Sequence, residues 1–287
     1  MKIKVYDTLT EYMNETFSFL AQYELQNNLI IGNCIRAKEY HQDTRNFFLA
    51  TVKNENDDIK TIVMQTPPFP LLIFEVGNKA CNEGLECLID YLLQQKIDIP
   101  GIVTEKQLSK RFLDRYIKKT NISTKVNMNM RIYRLDKVQY RENDKGYLRK
   151  ATMDDLYYIP YWNDAFAHEC DIEIRTSDFL LRVDKFKKQI EFGYLYVYED
   201  NIPVSMIAAG RKTLNGIILN NVYTPPHYRK KGYATNMVSD VCTQLLDDGY
   251  QFCGLFTDLK NPISNSIYQK VGFYPVCDYD EIAFIRK

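Results

Sequence analysis

The sequence predicts an α/β chain of the α+β kind, built as two similar halves. Apolar residues recur at helical spacing in some stretches and alternate or run together in others. These stretches follow one order in each half: helix, three strands, helix, strand, helix, strand. A polar segment without apolar periodicity, Lys137 to Gly146, separates them. That sets a domain at 1–136, a linker at 137–146 and a domain at 147–287. Hydrophobic residues make up 45% of the 287, enough for packed cores.

In the first half, Leu9 to Leu25 carries Met13, Phe17 and Leu20 at helical spacing. Phe47 to Val52 and Ile59 to Met64 read as a hairpin around the polar turn Asn54 to Asp58. Prolines at 67, 68 and 70 end it, and Leu71 to Val76 is a third strand. Lys79 to Gln95 is a helix whose buried stripe is Ala80, Leu85, Leu88, Leu92 and Leu93. Gly101 to Thr104 is a short strand, Glu105 to Lys118 a helix and Val126 to Leu135 a strand. No basic loop precedes a helix in this half, so it reads as structural.

In the second half, Tyr147 to Ala151 is a short strand, and Thr152 with Asp155 reads as a capping box opening a helix that reaches about His168. A second helix covers Ser177 to Ile190. Tyr194 to Tyr198 and Pro203 to Ala209 are strands around Asp200-Asn201, and Ile217 to Tyr223 is a third. Pro225 and Pro226 stop it. Three basic residues, Arg229, Lys230 and Lys231, lead to Gly232 and to an amphipathic helix with Met237, Val238, Val241 and Leu245 inside. Phe252 to Thr257 is a strand, and Asn261 to Lys270 a helix stopped by Gly272. Tyr274 to Cys277 and Glu281 to Ile285 close the sheet.

Composition narrows the function. Lys+Arg and Asp+Glu are both 37, which argues against a nucleic-acid footprint. The seven cysteines show no metal-ligand spacing, so no metal is expected and reduced thiols in a cytoplasmic protein are. No run of about 18 apolar residues predicts a membrane span, and no signal peptide is read at the start.

The strand–basic loop–glycine–helix stretch calls for a phosphate. Helix N-termini present unpaired N–H groups and the positive end of the dipole, and glycine admits a close backbone approach. Arg229-x-x-Gly232-x-Ala234 resembles the acetyl-CoA signature, Gln/Arg-x-x-Gly-x-Gly/Ala, of the GNAT N-acetyltransferase superfamily. Asn261-x-x-Ser264-x-x-Ile267-Tyr268-x-x-x-Gly272-Phe273 is similar to that family's later Asn…Tyr…Gly-Phe motif. Leu148 to Thr152, with Asp155-Leu156, looks like its first strand and helix. The resemblance covers residues 146–287. It reaches 1–136 only as a GNAT-like order lacking the signature, a degenerate second copy. It implies a mixed, mostly antiparallel central sheet flanked by helices in each half.

The resemblance also implies roles. Backbone N–H groups of Arg229, Lys230, Lys231, Gly232, Tyr233, Ala234 and Thr235 would cradle the coenzyme A diphosphate. Lys230 and Lys231 add charge there or face solvent. Val222, Tyr223 and Thr224 would pair with the pantetheine arm, and an N–H near Val222 or Tyr223 would face the thioester carbonyl. Such a donor is worth about 3–4 kcal/mol in acyl transfer. Tyr268 would protonate the leaving thiolate or contact the cofactor. Asn261 and Ser264 would bind the cofactor arm, with a helix cap as the alternative role for Asn261. Glu169, Asp171 and Glu173 lie where the family builds its acceptor pocket; they would bind a cationic amine, relay its proton, or stand as surface carboxylates. His168 and Trp162 flank that pocket or belong to the helix and the core.

The function expected is acetyl transfer from acetyl-CoA to a primary amine, small-molecule or peptide, by direct attack without a covalent enzyme intermediate. An acyl-CoA-binding sensor without turnover is the alternative. Homodimerisation stays open.

Overall fold

The computed structural model describes residues 1–140, 145–172 and 178–285. Glu173, Ser177 and residues 141–144 of the expected linker lie outside them. The chain divides into two compact units. One holds Met1–Ile132, Thr257–Lys260 and the described part of Val276–Lys287; the other holds Tyr133–Phe256 and Asn261–Pro275.

The first unit contains β1 (Lys2–Val5), α1 (Leu9–Ala21), α2 (Asn28–Glu39), β2 (Phe48–Lys53), β3 (Ile59–Gln65), β4 (Leu71–Glu75), α3 (Asn82–Gln94), β5 (Gly101–Glu105), α4 (Lys106–Lys119) and most of β6 (Ser123–Leu135). Its strands run in the order β1-β2-β3-β4-β5-β12, where β12 is Tyr274–Ile285. Only the β4–β5 pair is parallel. The apolar stripe of α3 (Leu85, Leu88, Ile89, Leu92) and that of α4 (Leu108, Phe112, Tyr116) pack on Ala50, Val52, Val63, Ile73 and Ile102.

Three features of this unit depart from the sequence reading. β1 is a polar edge strand paired with β2; its alternating lysines gave no apolar signal. The single long helix expected over Leu9–Leu25 ends at Ala21, and α2 follows as a separate element. Two asparagines and a glycine hide the pattern of α2, yet Asn28 is buried and donates to the Leu25 carbonyl at 2.6 Å. The two closing strands expected at Tyr274–Cys277 and Glu281–Ile285 form one continuous β12, whose Tyr279–Ala283 stretch pairs with β5.

The β4–β5 ladder is short. It holds Leu71↔Ile102 and Leu72↔Val103, after which the Thr104 hydroxyl donates to the Ile73 carbonyl at 2.7 Å. At the end of β4, the Glu75 carboxylate accepts the Cys81 N–H at 2.8 Å, beside the first turn of α3, and pairs with Arg111. The unit's own side chains therefore fill both the gap between the parallel strands and the anion position of the next helix.

The second unit contains β7 (Tyr147–Lys150), α5 (Ile159–Glu169), α6 (Phe179–Glu191), β8 (Leu195–Asp200), β9 (Ile202–Lys212), β10 (Gly216–Tyr223), α7 (Tyr233–Asp247), β11 (Phe252–Asp258, to Phe256) and α8 (Pro262–Val271). Its order is β11-β10-β9-β8-β7, and only β10–β11 is parallel. Both units thus carry the mixed, mostly antiparallel sheet flanked by helices. Strand alternation divides the core of the second. Tyr196, Tyr198, Ile207, Ala209, Ile217 and Leu219 pack under α7 and α8. Leu195, Val197, Met206 and Ala208 pack under α5 and α6.

The entry to α5 rests on a charge cluster. Arg149 forks onto both oxygens of Asp155 at 2.7 and 2.8 Å and donates to Glu199 at 2.6 Å. Asp155 reaches back to the Thr152 N–H at 2.6 Å, as expected of the cap, and accepts from Tyr158. A short 3-10 turn, Met153–Tyr157, stands where the sequence suggests the start of the helix. Burial pushes the Asp155 pKa up, but Arg149, the Thr152 N–H and Tyr158 outweigh it and bring it down to about 2. A carboxylate lowered from about 3.9 stabilises the fold fully above about pH 5 and loses that contribution as pH falls toward 2. Denaturant titrations should therefore show on the order of 2 kcal/mol more acid-linked loss between pH 5 and 2 in the wild type than in Asp155→Asn. Parallel pH slopes for the two proteins would remove Asp155 from the account.

Candidate cofactor and active site

The β10–β11 ladder runs from Gly216↔Phe252 to Leu219↔Leu255 and stops. An irregularity on the other edge of β10 coincides with this end. Against β9, Asn220 pairs with Ala208 and Tyr223 with Met206, so β10 spends one residue more than its partner. This is a β-bulge. Asn221 sits in it with φ 51°, a left-handed conformation that asparagine tolerates better than branched residues do.

The extra residue reverses the alternation. Ile217 and Leu219 face α7, and without the bulge Tyr223 would follow them. Instead Val222 packs with the α7 side and Tyr223 is buried on the α5 side. There Tyr223 meets Trp162, at 6.2 Å between ring centroids, and Trp162 leans on Tyr158 at 4.5 Å. Asn221 Nδ2 donates to Asn163 Oδ1 at 3.1 Å, tying the bulge to α5. Ser205 donates to the Tyr223 carbonyl at 2.8 Å, and its hydroxyl lies 2.7 Å from that of Thr224.

After Thr224 the chain makes the 3-10 turn Pro226–Tyr228 and enters the basic loop. Lys230 has φ 62° and Gly232 φ 90°, two left-handed residues that turn the backbone into α7. Gly232 is the N-cap and supplies no side-chain oxygen. The first α7 carbonyl bond is Asn236 N–H to Gly232 O at 3.0 Å, so the N–H groups of Tyr233, Ala234 and Thr235 point out of the helix start. A Cβ on Gly232 would meet nothing within 4 Å, leaving room for a ligand above the loop. These residues fit a diphosphate: a helix N-terminus, an open glycine and adjacent cations.

The remaining candidates divide. Lys230 and Lys231 are exposed, with Lys231 near the Tyr228 ring at 5.9 Å. The Tyr233 hydroxyl donates to Asp200 and its ring packs near Tyr198, so only its backbone serves the loop. Asn261 caps α8, accepting the Ser264 N–H at 3.1 Å. Tyr268 is buried, edge-on to Phe273 at 5.8 Å. Burial pushes its pKa up beyond the usual phenol range, with smaller contributions from Cys170 and Cys242. Glu169, at the end of α5, accepts both its close contacts from Arg229 at 2.7 and 2.8 Å. His168 and Asp171 are exposed beside it. Glu173 lies outside the described residues.

Sequence reasoning missed Asn163 and the bulge. The signal for the bulge was Asn220-Asn221, two turn-favouring residues inside an apolar strand. Nothing in the sequence marked Asn163.

Residues 154–273 match the model of the acetyltransferase (GNAT) family. The matched stretch contains the bulge, the loop and Tyr268. The fold likeness extends over the whole chain. An acetyltransferase of the GNAT family from Colwellia psychrerythraea aligns over 100% of both chains with TM-score 0.61 and 12% identity. A Drosophila protein aligns over 99% of this chain and 98% of its own, with TM-score 0.69 and 10% identity. A GCN5-related N-acetyltransferase from Sphaerobacter thermophilus covers 99% and 96%, with TM-score 0.62 and 11% identity. No curated protein sequence matches the chain. Among the described residues, no cluster of metal-ligating side chains occurs and no helix is long and apolar enough to cross a membrane. All seven cysteines are free.

The left-handed backbone at Asn221 gives a direct test of the bulge. Asn221→Val should unfold at lower urea concentration than Asn221→Gly, by about 1–2 kcal/mol. Equal midpoints would show that this conformation does not constrain β10.

Proposed function

We propose that the chain transfers an acetyl group from acetyl-CoA to a primary amine, by direct attack while both are bound. The observation that carries this reading is that β10 leaves β11 after Leu219 and then leads, through the basic loop, to a start of α7 that no side chain caps. A strand edge freed at Val222–Thr224 would pair with the pantetheine amides, and the N–H groups at 233–235 would hold the diphosphate. Acetyl-CoA supplies the activated thioester. The amine nitrogen bonds to the carbonyl carbon, the carbon–sulfur bond breaks, and the net proton moves from the amine to the sulfur.

Tyr268 is the proton donor in this reading. Its raised pKa keeps the hydroxyl protonated through the neutral range, so it donates only when charge develops on sulfur. The amine, with a pKa near 10.4 if of lysine type, must lose a proton before attack. Activity should therefore climb with pH across the neutral range. The acceptor is a small-molecule or peptide amine, with Trp162, Tyr223 and Asn163 on its side of the sheet. No nucleic acid or membrane enters the reaction.

Calorimetric titration with acetyl-CoA should give one site per chain, since Glu75 and Thr104 fill the corresponding positions of the first unit. Two sites would refute that assignment, and no binding at millimolar ligand would refute the reading as a whole. Thiol release with an amine panel should fall about a hundredfold or more in Tyr268→Phe. An unchanged kcat would leave Tyr268 a core residue only. Binding without turnover on any amine would favour a sensor.

A further inference from the structure

Arg229, the first residue of the loop motif, is already engaged. Its Nε donates to the Thr224 carbonyl at 2.8 Å, and one terminal nitrogen donates to both oxygens of Glu169 at 2.7 and 2.8 Å. The guanidinium lies 5.7 Å from the Tyr223 ring centroid. The contact joins the last residue of α5 to the loop before α7, and both side chains keep about two-fifths of their surface in water, 40% and 42%.

Two properties make this pair exchangeable. A guanidinium donates to carboxylate and phosphate alike, and here a single terminal nitrogen holds both oxygens of Glu169. A pair this exposed is held weakly. A diphosphate at the start of α7, a few residues along the same loop, brings more charge than one carboxylate.

Building on the acetyl-CoA reading above, we propose that Glu169 is an internal stand-in for the cofactor phosphate on Arg229. Bound diphosphate takes the guanidinium, and the freed carboxylate becomes an anchor for the acceptor ammonium. Position supports the second step. Glu169 ends the helix that carries Trp162, beside the Tyr223 ring, and Asn163, bonded to Asn221 of the bulge.

The test is a double-mutant cycle read by calorimetry with coenzyme A alone. Glu169→Gln should bind coenzyme A about twofold to fivefold more tightly than the wild type. Arg229→Gln should bind it more weakly, and adding Glu169→Gln to that variant should change nothing further. Carbodiimide-driven labelling of Glu169, followed by mass spectrometry, should rise when coenzyme A is added. Unchanged or weaker binding by Glu169→Gln would overturn the proposal. So would equal tightening in both backgrounds, which is only the removal of a negative charge, or labelling that fails to rise. A folded wild type that does not bind coenzyme A removes the acetyl-CoA reading and this proposal together. Binding by the wild type with a flat cycle removes this proposal alone.

Discussion

The geometry of the site depends on one extra residue in β10. A strand has two faces and a period of two, so a single insertion exchanges every later side chain between them. Here the exchange sends Val222 toward α7 and Tyr223 toward α5. It coincides with the end of the β10–β11 ladder at Leu219 and Leu255. Parting two strands in a core normally strands backbone hydrogen bonds, which are expensive to leave unmade. The bulge that accompanies the parting is tied to α5 through Asn221 and Asn163.

The start of α7 extends the same logic. Thr8, Glu105, Asp178 and Asn261 each place a side-chain oxygen on the first turn of their helices. Gly232 does not. A Ser or Asp there would satisfy the helix internally and block the approach of an anion. The left-handed φ of 90° also favours glycine at this position.

Much of this was legible in the sequence. Periodicity found the amphipathic stripes of α3 and α7, since both bury one clean face. The Arg229–Gly232 loop and the Asn261–Tyr268 helix stood out because their residues are constrained by local backbone chemistry. What was not legible depends on partners far along the chain. The polar strand β1 is defined by pairing with β2, not by its own pattern. The tail of β12 pairs with β5, more than a hundred residues earlier in sequence, and period-2 alternation is silent about which edge a strand joins. Glu169 read as one of three interchangeable carboxylates; only the fold shows that Arg229, 60 positions away, selects it. The bulge was visible as two asparagines but was absorbed into the strand, because apolar runs outweigh single residues in a window.

The two units solve one problem in opposite ways. In each, a parallel pair of strands parts and a helix start follows. In the first unit Glu75 stands beside that start, with 6% of its side chain exposed, paired to Arg111 at 23%. Removing Arg111 would leave the buried Glu75 charge without its cation, so this anion is a permanent part of the core. In the second unit the carboxylate and the arginine of the pair are both about two-fifths exposed. Solvent screens them, little desolvation holds them together, and a better anion can displace one from the other. The same two functional groups thus make a closed structural site in one unit and an exchangeable one in the other, and burial is the variable that separates them.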